Sequence, residues 1–136
     1  MYLIDTNVLS ELRRRDRADP GVIAWFQSTP EKLMAISVVT IAEIEAGVRK
    51  IERRDAAQGE LIRRWAEGVF EAFSTRCLAI DDAAARICGG LHVPDLRPER
   101  DAWIAATAFC RDLTVVTRNV RDFQPMGVKT VDPWSA

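Results

Sequence analysis

Four acidic residues are spaced along the chain so that its predicted strands and helices would bring them to one edge of a sheet. Three of them follow predicted strands and the fourth lies at the start of a predicted helix: Asp5, Glu43, Asp122 and Asp101. Carboxylates that lie close together repel and raise one another's pKa, and a bound divalent cation removes that conflict. The pattern therefore predicts a site for a hard metal ion that works on phosphate esters.

Each acid also has an explanation that involves no metal. Asp5 could cap the first helix, and Thr40 and Glu43 have the spacing of a capping box. Asp101 lies in a first helical turn, where a carboxylate is favoured by ~0.3–1 kcal/mol. Asp122 could also take part in a helix cap, so capping could explain each acid when it is considered by itself.

Asp101 is the acid that capping explains least well. Its predicted helix has an apolar stripe made up of Ile104, Ala105, Ala108 and Phe109, and position 101 lies on the same stripe at spacings of three and four residues. A carboxylate on the core-facing stripe would point toward the sheet edge, where an unpaired buried charge is costly. Capping acids would also be scattered rather than gathered on one rim, so the set as a whole favours the metal site.

Alternating strands and helices must position these acids. The apolar runs predict strands over 2–4, 33–39, 77–80, 113–117 and 128–131. Helical periodicity predicts helices over 6–15, 20–27, 40–53, 57–74, 82–91 and 100–112. This alternation implies a parallel sheet with helices on both faces, and ligands of such sheets bind beyond the carboxyl ends of the strands.

Length and composition narrow the class of protein. The 136 residues suit one domain, 1–136. No run approaches the ~20 apolar residues of a membrane-spanning helix, the N-terminus lacks the pattern of a secretory signal, and the odd count of three cysteines suits reduced thiols. We therefore expect a cytoplasmic protein without membrane contact. His92 is the only histidine in the sequence, which argues against a zinc site and against a Ser-His-Asp triad.

An ordered set of motifs resembles PIN-domain ribonucleases of the VapC toxin type, most closely their FitB-like branch. The matching segments extend over essentially the whole chain: 3–12, 39–44, 101–108, 116–123 and the pair Pro133-Trp134. Their order and spacing, rather than any one of them, make the resemblance specific. It implies a three-layer α/β/α fold around a five-stranded parallel sheet with strand order 3-2-1-4-5, with the four acids as the metal site.

The same resemblance implies an activity and partners. The expected activity is Mg²⁺-dependent hydrolysis of RNA phosphodiester bonds by an endoribonuclease, with Mn²⁺ as a substitute metal, and the expected role is that of the toxin in a type II toxin–antitoxin pair. The expected partners are RNA, a cognate antitoxin and a second copy in a homodimer, which could assemble further with the antitoxin. One segment departs from the family pattern, since Arg97, Glu99 and Arg100 precede Asp101 where small and apolar residues are expected.

Five further residues are candidates for supporting roles. Thr6 follows Asp5 directly, and Asn119 offers a neutral oxygen where an acid is expected. The Thr117 hydroxyl could orient a ligand or a water molecule, or Thr117 could be an ordinary polar residue at a strand end. Arg118 and Arg121 lie near the predicted rim and are candidates for contacts with RNA phosphates.

Two other functions fit parts of the pattern. A phosphatase or phosphotransferase could use Asp5 as its nucleophile, although such enzymes usually carry a second acid two residues later, where this chain has Asn7. An RNA-binding or partner-binding module with a catalytically silent site is the third interpretation. The presence of all four acids argues against it, because a silent site has no need of them.

Overall fold

In the computed structural model, which describes residues 1–134, five short strands form one sheet. They are β1 (Tyr2–Ile4), β2 (Met34–Ser37), β3 (Cys77–Leu78), β4 (Thr114–Val116) and β5 (Thr130–Val131). The strand order is β3-β2-β1-β4-β5 and every neighbouring pair is parallel. The predicted sheet topology is therefore confirmed, and the carboxyl ends of all five strands meet at one rim.

Seven α-helices within residues 1–134 connect and flank the strands. They are α1 (Thr6–Leu12), α2 (Pro20–Ser28), α3 (Val38–Arg54), α4 (Ala56–Ala72), α5 (Asp82–Leu91), α6 (Glu99–Arg111) and α7 (Val120–Phe123). Single turns of 3₁₀ helix lie at Arg15–Arg17, Glu31–Leu33 and Gln124–Met126. None of these helices combines the length and the apolar composition that crossing a bilayer requires.

The core lies on both faces of the sheet because side chains alternate along each strand. Leu3 and Val115 pack with α5, α6 and Phe123 on one face, and Ile4 and Val116 pack with α1, α2, α3 and α4 on the other. Strands that are buried on both faces read as continuous apolar runs, which is why the sequence predicts them. The predicted three-layer α/β/α arrangement is confirmed.

Element boundaries differ from the sequence-based prediction where side chains start or stop helices. The second strand ends at residue 37 rather than 39 because the Ser37 hydroxyl accepts a hydrogen bond from the Val39 amide and so caps α3. The first helix ends at Leu12 rather than at residue 15, where Arg15 has a left-handed backbone with φ of 57°. Helix α7 was not predicted, since a single turn is too short to show periodicity.

Helices α3 and α4 pack closely against each other at Gly59. A Cβ atom on Gly59 would lie 2.6 Å from the Cα of Glu52, so α4 approaches α3 at backbone distance there. Arg63 of α4 donates hydrogen bonds to Glu45 and Glu52 of α3 at 2.8 and 2.9 Å. Because α3 carries Glu43, this packing also sets where that acid stands at the rim.

We expect Gly59→Ala to lower the free energy of unfolding by ~1–3 kcal/mol, because the added methyl group meets the backbone of α3 and must push the helices apart. Gly68→Ala is the matched control in the same helix. A Cβ at Gly68 meets nothing within 4 Å, so alanine there should stabilise by up to ~1 kcal/mol through helix propensity. Urea denaturation followed by circular dichroism measures both changes. Equal effects of the two variants would contradict the packing argument.

Candidate functional site

Asp5 lies at the centre of the rim, directly after β1. One carboxylate oxygen accepts a hydrogen bond from the Thr6 amide at 2.8 Å, and the other accepts one from the Thr117 hydroxyl at 2.8 Å. The side chain is nearly buried, with 6% of the residue exposed. Burial raises the pKa of Asp5 and the charge of Asp122 raises it further, while the bonds from Thr117 and Thr6 lower it.

Thr117 connects the ends of β4 and β1. Its fully buried hydroxyl donates to Asp5 and accepts hydrogen bonds from the Asn7 side-chain amide at 3.2 Å and from the Asn119 backbone amide at 3.0 Å. The Asn7 carbonyl oxygen in turn accepts a bond from the Arg118 backbone amide at 3.3 Å. Thr117 is therefore more than a polar strand end, because it fixes the orientation of an acid.

Asn7 is a site residue that sequence reasoning missed. The sequence shows it only as the residue standing where some phosphatases have a second acid. In the structure its side-chain nitrogen lies 3.4 Å from Asp5 Oδ2 and 3.2 Å from Thr117 Oγ1. The available signal was its spacing of two residues from Asp5 at a helix start, but its partner is 110 residues away.

Glu43 lies in the second turn of α3, half-buried at the rim. Burial raises the pKa of Glu43, the charge of Asp5 raises it further, and Arg100 together with the nearby Thr6 hydroxyl lowers it. Arg100 Nη1 donates a hydrogen bond to Glu43 Oε2 at 3.4 Å. Within residues 1–134, Arg100 is the one basic side chain that forms an ion pair with any of the four acids.

Asp101 lies in the first turn of α6, which starts at the rim. Burial, reinforced by the charges of Asp5, Asp122 and Glu43, raises the pKa of Asp101 to about 6. Ile104, Ala105 and Ala108 of the predicted stripe are buried, as expected. Phe109 is not part of the core, since 42% of it is exposed, and its inclusion in the buried stripe was wrong.

The acids surround a cavity of about 410 Å³. Asp5, Glu43 and Asp101 line it together with Thr6, Asn7, Ser10, Glu11, Arg118, Asn119 and Trp134. Asp122 is exposed and lines an adjoining cavity of about 380 Å³ with Arg118, Asn119, Val120, Arg121 and Asp132. The structure thus brings three of the four acids to one cavity and sets the fourth beside it. Ser10, Glu11 and Trp134 are lining residues that sequence reasoning did not identify.

The four carboxylates influence one another through charge rather than through contact. Across residues 1–134, no three of them bring oxygens within 4.8 Å of one another. Their donor set nevertheless suits a hard divalent cation, since all four offer carboxylate oxygens and those of Asp5, Glu43 and Asp101 have raised pKa values. The Thr6 hydroxyl, buried on the cavity wall near Glu43, adds a further oxygen.

The capping explanations hold for one acid and fail for another. Asp5 is the N-cap of α1 as well as a rim acid, because its carboxylate accepts the Thr6 amide bond. The capping box of Thr40 and Glu43 does not exist, since Ser37 is the N-cap and Thr40 is a buried residue inside α3. Asn119 precedes α7 but its side chain makes no capping bond.

A second group of potential metal ligands consists of Cys88, His92 and Glu99, whose ligand atoms lie within 4.8 Å of one another. His92 Nδ1 accepts a hydrogen bond from the Arg97 backbone amide at 3.0 Å. A neutral imidazole that accepts at Nδ1 carries its proton on Nε2, so it offers no lone pair to an ion there. This group therefore fits a structural role at the start of α6 better than it fits a metal.

Comparison with known proteins gives a consistent picture. The family model described as PIN domain matches residues 2–128. The chain is 31% identical to the VapC ribonuclease Y4jK of Sinorhizobium fredii over 143 residues, which cover 98% of each protein. It is similar to the crystal structure of FitAcB from Neisseria gonorrhoeae, with a TM-score of 0.88 and 29% identity over the full length of both chains. It is also similar to a toxin–antitoxin complex from Klebsiella pneumoniae, with a TM-score of 0.72, 27% identity and 98% of each chain covered.

The raised pKa of Asp101 predicts a pH-dependent stability. The folded protein holds the Asp101 proton more tightly than an ordinary aspartate of pKa 3.8, so the stability that this group contributes is lost as the pH rises through about 6. We expect Asp101→Asn to stabilise the metal-free protein at neutral pH by on the order of 1 kcal/mol, with solvent screening taken into account. The advantage should vanish below about pH 4.

Thermal unfolding of both proteins in a chelator, followed across this pH range, measures the difference. Added Mg²⁺ should stabilise the parent protein more than the variant and so reverse the order. A variant that is less stable than the parent at neutral pH in chelator would contradict the mutual repulsion of the acids.

Proposed function

Because the chain belongs to the PIN-domain family, we propose that it is a Mg²⁺-dependent endoribonuclease that hydrolyses phosphodiester bonds of RNA. We further propose that it acts in the cytoplasm as the toxin of a type II toxin–antitoxin pair. The observation that supports the activity best is the cavity lined by Asp5, Glu43 and Asp101. Burial and neighbouring negative charge raise the pKa of each of these carboxyl groups, and Arg100 neutralises one of them in part.

The rim residues suit a resident divalent cation. Asp5 and Asp101 would hold Mg²⁺ or its substitute Mn²⁺ directly, Asp122 would do so directly or through water, and Glu43 would hold a second ion or a water molecule. Bound there, the cation would supply Lewis-acid stabilisation of the phosphate charge and a lowered pKa of water. Carboxylate oxygens are the ligands that such ions prefer.

The chain's own residues have distinct tasks in this proposal. Thr117 and the Thr6 amide hold the Asp5 carboxylate in one orientation, so that its oxygens face the cavity at a fixed angle. Glu43, on the neighbouring helix, orients the attacking water toward the phosphorus. Hydrolysis breaks the bond between phosphorus and the 3′ oxygen, and the products carry 5′-phosphate and 3′-hydroxyl ends. Arg118 and Arg121 are proposed to bind flanking phosphates, since arginine offers paired donors to them.

The proposed partners follow from relatives. One relative is a VapC ribonuclease and one structural neighbour is a toxin–antitoxin complex, so RNA is the proposed substrate and a cognate antitoxin the proposed inhibitor. We also propose that the chain forms a homodimer, which could enlarge when antitoxin binds.

A phosphatase that uses Asp5 as its nucleophile fits this geometry less well. The hydrogen bonds that both Asp5 oxygens accept leave a lone pair on each for a metal ion, but they hold the nearly buried carboxylate in one orientation, whereas a nucleophile must move to approach a phosphorus atom in line. The side chain two residues later, Asn7, donates toward Asp5 rather than serving as an acid. A trapped aspartyl-phosphate on Asp5 would revive this alternative.

The decisive experiment measures cleavage of labelled RNA by the purified, antitoxin-free protein. We expect cleavage with Mg²⁺ or Mn²⁺ and none in chelator. Asp5→Asn and Asp101→Asn should each lower the rate by at least about 100-fold, because loss of a ligand should exceed the 10–100-fold effect of an outer partner. Asp112→Asn, an exposed acid at the opposite end of α6, is the matched control and should keep the parental rate.

Cleavage that persists in chelator, or that survives in either acid variant, would refute the proposed mechanism. RNA binding without cleavage under every metal condition would favour the silent module instead. End-labelling of the products distinguishes 5′-phosphate from 5′-hydroxyl ends and so tests the bond that breaks.

Thr117 should act as a positioning residue. We expect Thr117→Val to lower the cleavage rate by roughly 10–100-fold and to weaken Mn²⁺ binding, because Asp5 loses the bond that orients it. Thr117→Ser keeps the hydroxyl and should retain most of both. Calorimetric titration with Mn²⁺ provides the second readout, and unchanged Mn²⁺ affinity in the valine variant would contradict this role.

A further inference from the structure

An arginine that lies over a tryptophan ring lines the acid cavity. The Arg118 guanidinium lies 5.2 Å from the ring centroid of Trp134, and both residues line the cavity that contains Asp5, Glu43 and Asp101. Arg118 also lines the adjoining cavity with Asp122 and therefore forms part of the wall between the two. The ribonuclease chemistry proposed above has assigned no role to Trp134.

The fold holds the tryptophan in place from below. A Cβ atom on Gly21 would lie 2.7 Å from the Pro133 carbonyl oxygen, so only glycine at the start of α2 lets the C-terminal segment approach this closely. The Trp134 amide donates a hydrogen bond to Asp132 Oδ1 at 2.9 Å, and the indole packs partly buried against the core cluster that contains Ile4, Val8 and Val22. The ring is thus a fixed surface rather than a free side chain.

The arginine is anchored at its backbone but exposed at its side chain. Its amide donates to Asn7 Oδ1, which ties position 118 to the network around Thr117 and Asp5. The residue itself is exposed. The guanidinium carbon lies over the indole ring, and an exposed cation and aromatic ring in this position offer a surface to a further flat group.

Surfaces of this kind bind unpaired nucleobases, which are flat and aromatic. Proteins that act on single-stranded RNA stack splayed bases on aromatic rings and on arginine planes, whereas bases inside a duplex are already stacked and paired. The acid cavity alone would repel a polyanion, and a cation at its mouth offsets that repulsion next to the proposed scissile phosphate.

On this basis, and resting on the proposed ribonuclease function, we propose that Arg118 and Trp134 form a platform that stacks an unpaired nucleobase beside the scissile phosphate. The platform makes the enzyme selective for single-stranded segments of RNA. Arg118 and Trp134 are then substrate-positioning residues that act through stacking, and Arg118 adds donors for the adjacent phosphate.

The chain contains a matched control pair. Arg13 lies 5.7 Å from the ring centroid of Trp65, which makes a second arginine–tryptophan contact of the same kind. Neither residue lines the acid cavity. If the position of the pair at the rim matters rather than the arginine–tryptophan contact itself, only substitutions in the Arg118–Trp134 pair should weaken RNA binding.

The test uses the full chain carrying Asp101→Asn, so that RNA is bound without being cleaved. The probe is a fluorescent single-stranded RNA of about 12 nucleotides, within the range of known single-strand site sizes, and the same strand annealed to its complement. We expect Arg118→Ala and Trp134→Ala each to weaken single-strand binding by about 10-fold. Their combination should cost little more, since they act as one unit. Trp134→Phe should retain most of the affinity, and Arg13→Ala and Trp65→Phe should retain all of it.

An abasic scan separates stacking from a structural role. Single nucleotides of the probe are replaced by ribose without a base, one position at a time. One position should stack on the platform, and removal of its base should weaken binding to the parent about as much as Trp134→Ala does. The same removal should not weaken binding to the Trp134→Ala variant any further. A variant that merely loosened the C-terminal segment would respond to every abasic position as the parent does.

Three outcomes would overturn the platform: single-strand binding by Arg118→Ala within twofold of the parent, equal losses on single-strand and duplex RNA, or no abasic position that couples to Trp134. Circular dichroism and thermal unfolding verify that the variants are folded. If Trp134→Ala disturbs the packing of the C-terminal segment, Arg118→Ala still tests the platform, because it leaves that packing in place.

The ribonuclease proposal fails separately, when the protein with Asp101 intact does not cleave RNA. Absence of RNA binding by the Asp101→Asn parent would overturn the platform alone, as long as the protein with Asp101 intact cleaves RNA.

Discussion

The hydrogen bond from the Thr117 hydroxyl to the Asp5 carboxylate is the contact on which the rim depends. It joins the ends of the central strand β1 and its neighbour β4, and both partners are almost completely buried. Burial makes the Asp5 charge costly, and the bonds from Thr117 and Thr6 offset part of that cost. Asp5 therefore cannot swing away from its neighbours. Its charge is fixed at a point determined by the sheet, and it raises the pKa of Glu43 and Asp101 from there.

This fixed charge explains why the site should favour a cation. Helices α3 and α6 are held against the sheet by the core, so Glu43 and Asp101 are brought to the rim regardless of their mutual repulsion. Burial and, to a smaller extent, the negative charge of the neighbouring acids then raise the pKa of each carboxyl group. A divalent ion changes the sign of the field at these acids, and the free energy lost to repulsion without metal is regained when it binds. The same argument explains why the acids do not need to touch beforehand.

The sequence predicted what depends on periodicity and order, and it failed where distant residues form hydrogen bonds. Alternating apolar runs were enough for a parallel sheet with helices on both faces and for the gathering of acids at one rim, because parallel strands must present their carboxyl ends at one edge. The strand order itself came only from the resemblance to PIN-domain ribonucleases. The bond between Asn7 and Thr117 spans 110 positions, and no local pattern reports it. Trp134 matched a family motif, yet its place at the cavity depends on the close approach that Gly21 permits. Even the end of β2 was set by a single capping hydroxyl, that of Ser37, against the strand preference of two valines.

Arg100 gives the unusual segment before Asp101 a physical meaning. Neighbouring residues in a helix point about 100° apart, so at the start of α6 Asp101 faces the cavity while Arg100 reaches across to Glu43 on α3. The Arg100 side chain is 66% exposed and the bond is long, at 3.4 Å. Such a pair contributes only ~0–1 kcal/mol to stability, so a cation that takes Glu43 as ligand displaces it at small cost. The arginine offsets part of the negative charge of Glu43 before metal binds, and in the proposed ribonuclease a displaced Arg100 would leave a positive charge near the phosphate. A small apolar residue at position 100 would provide neither effect.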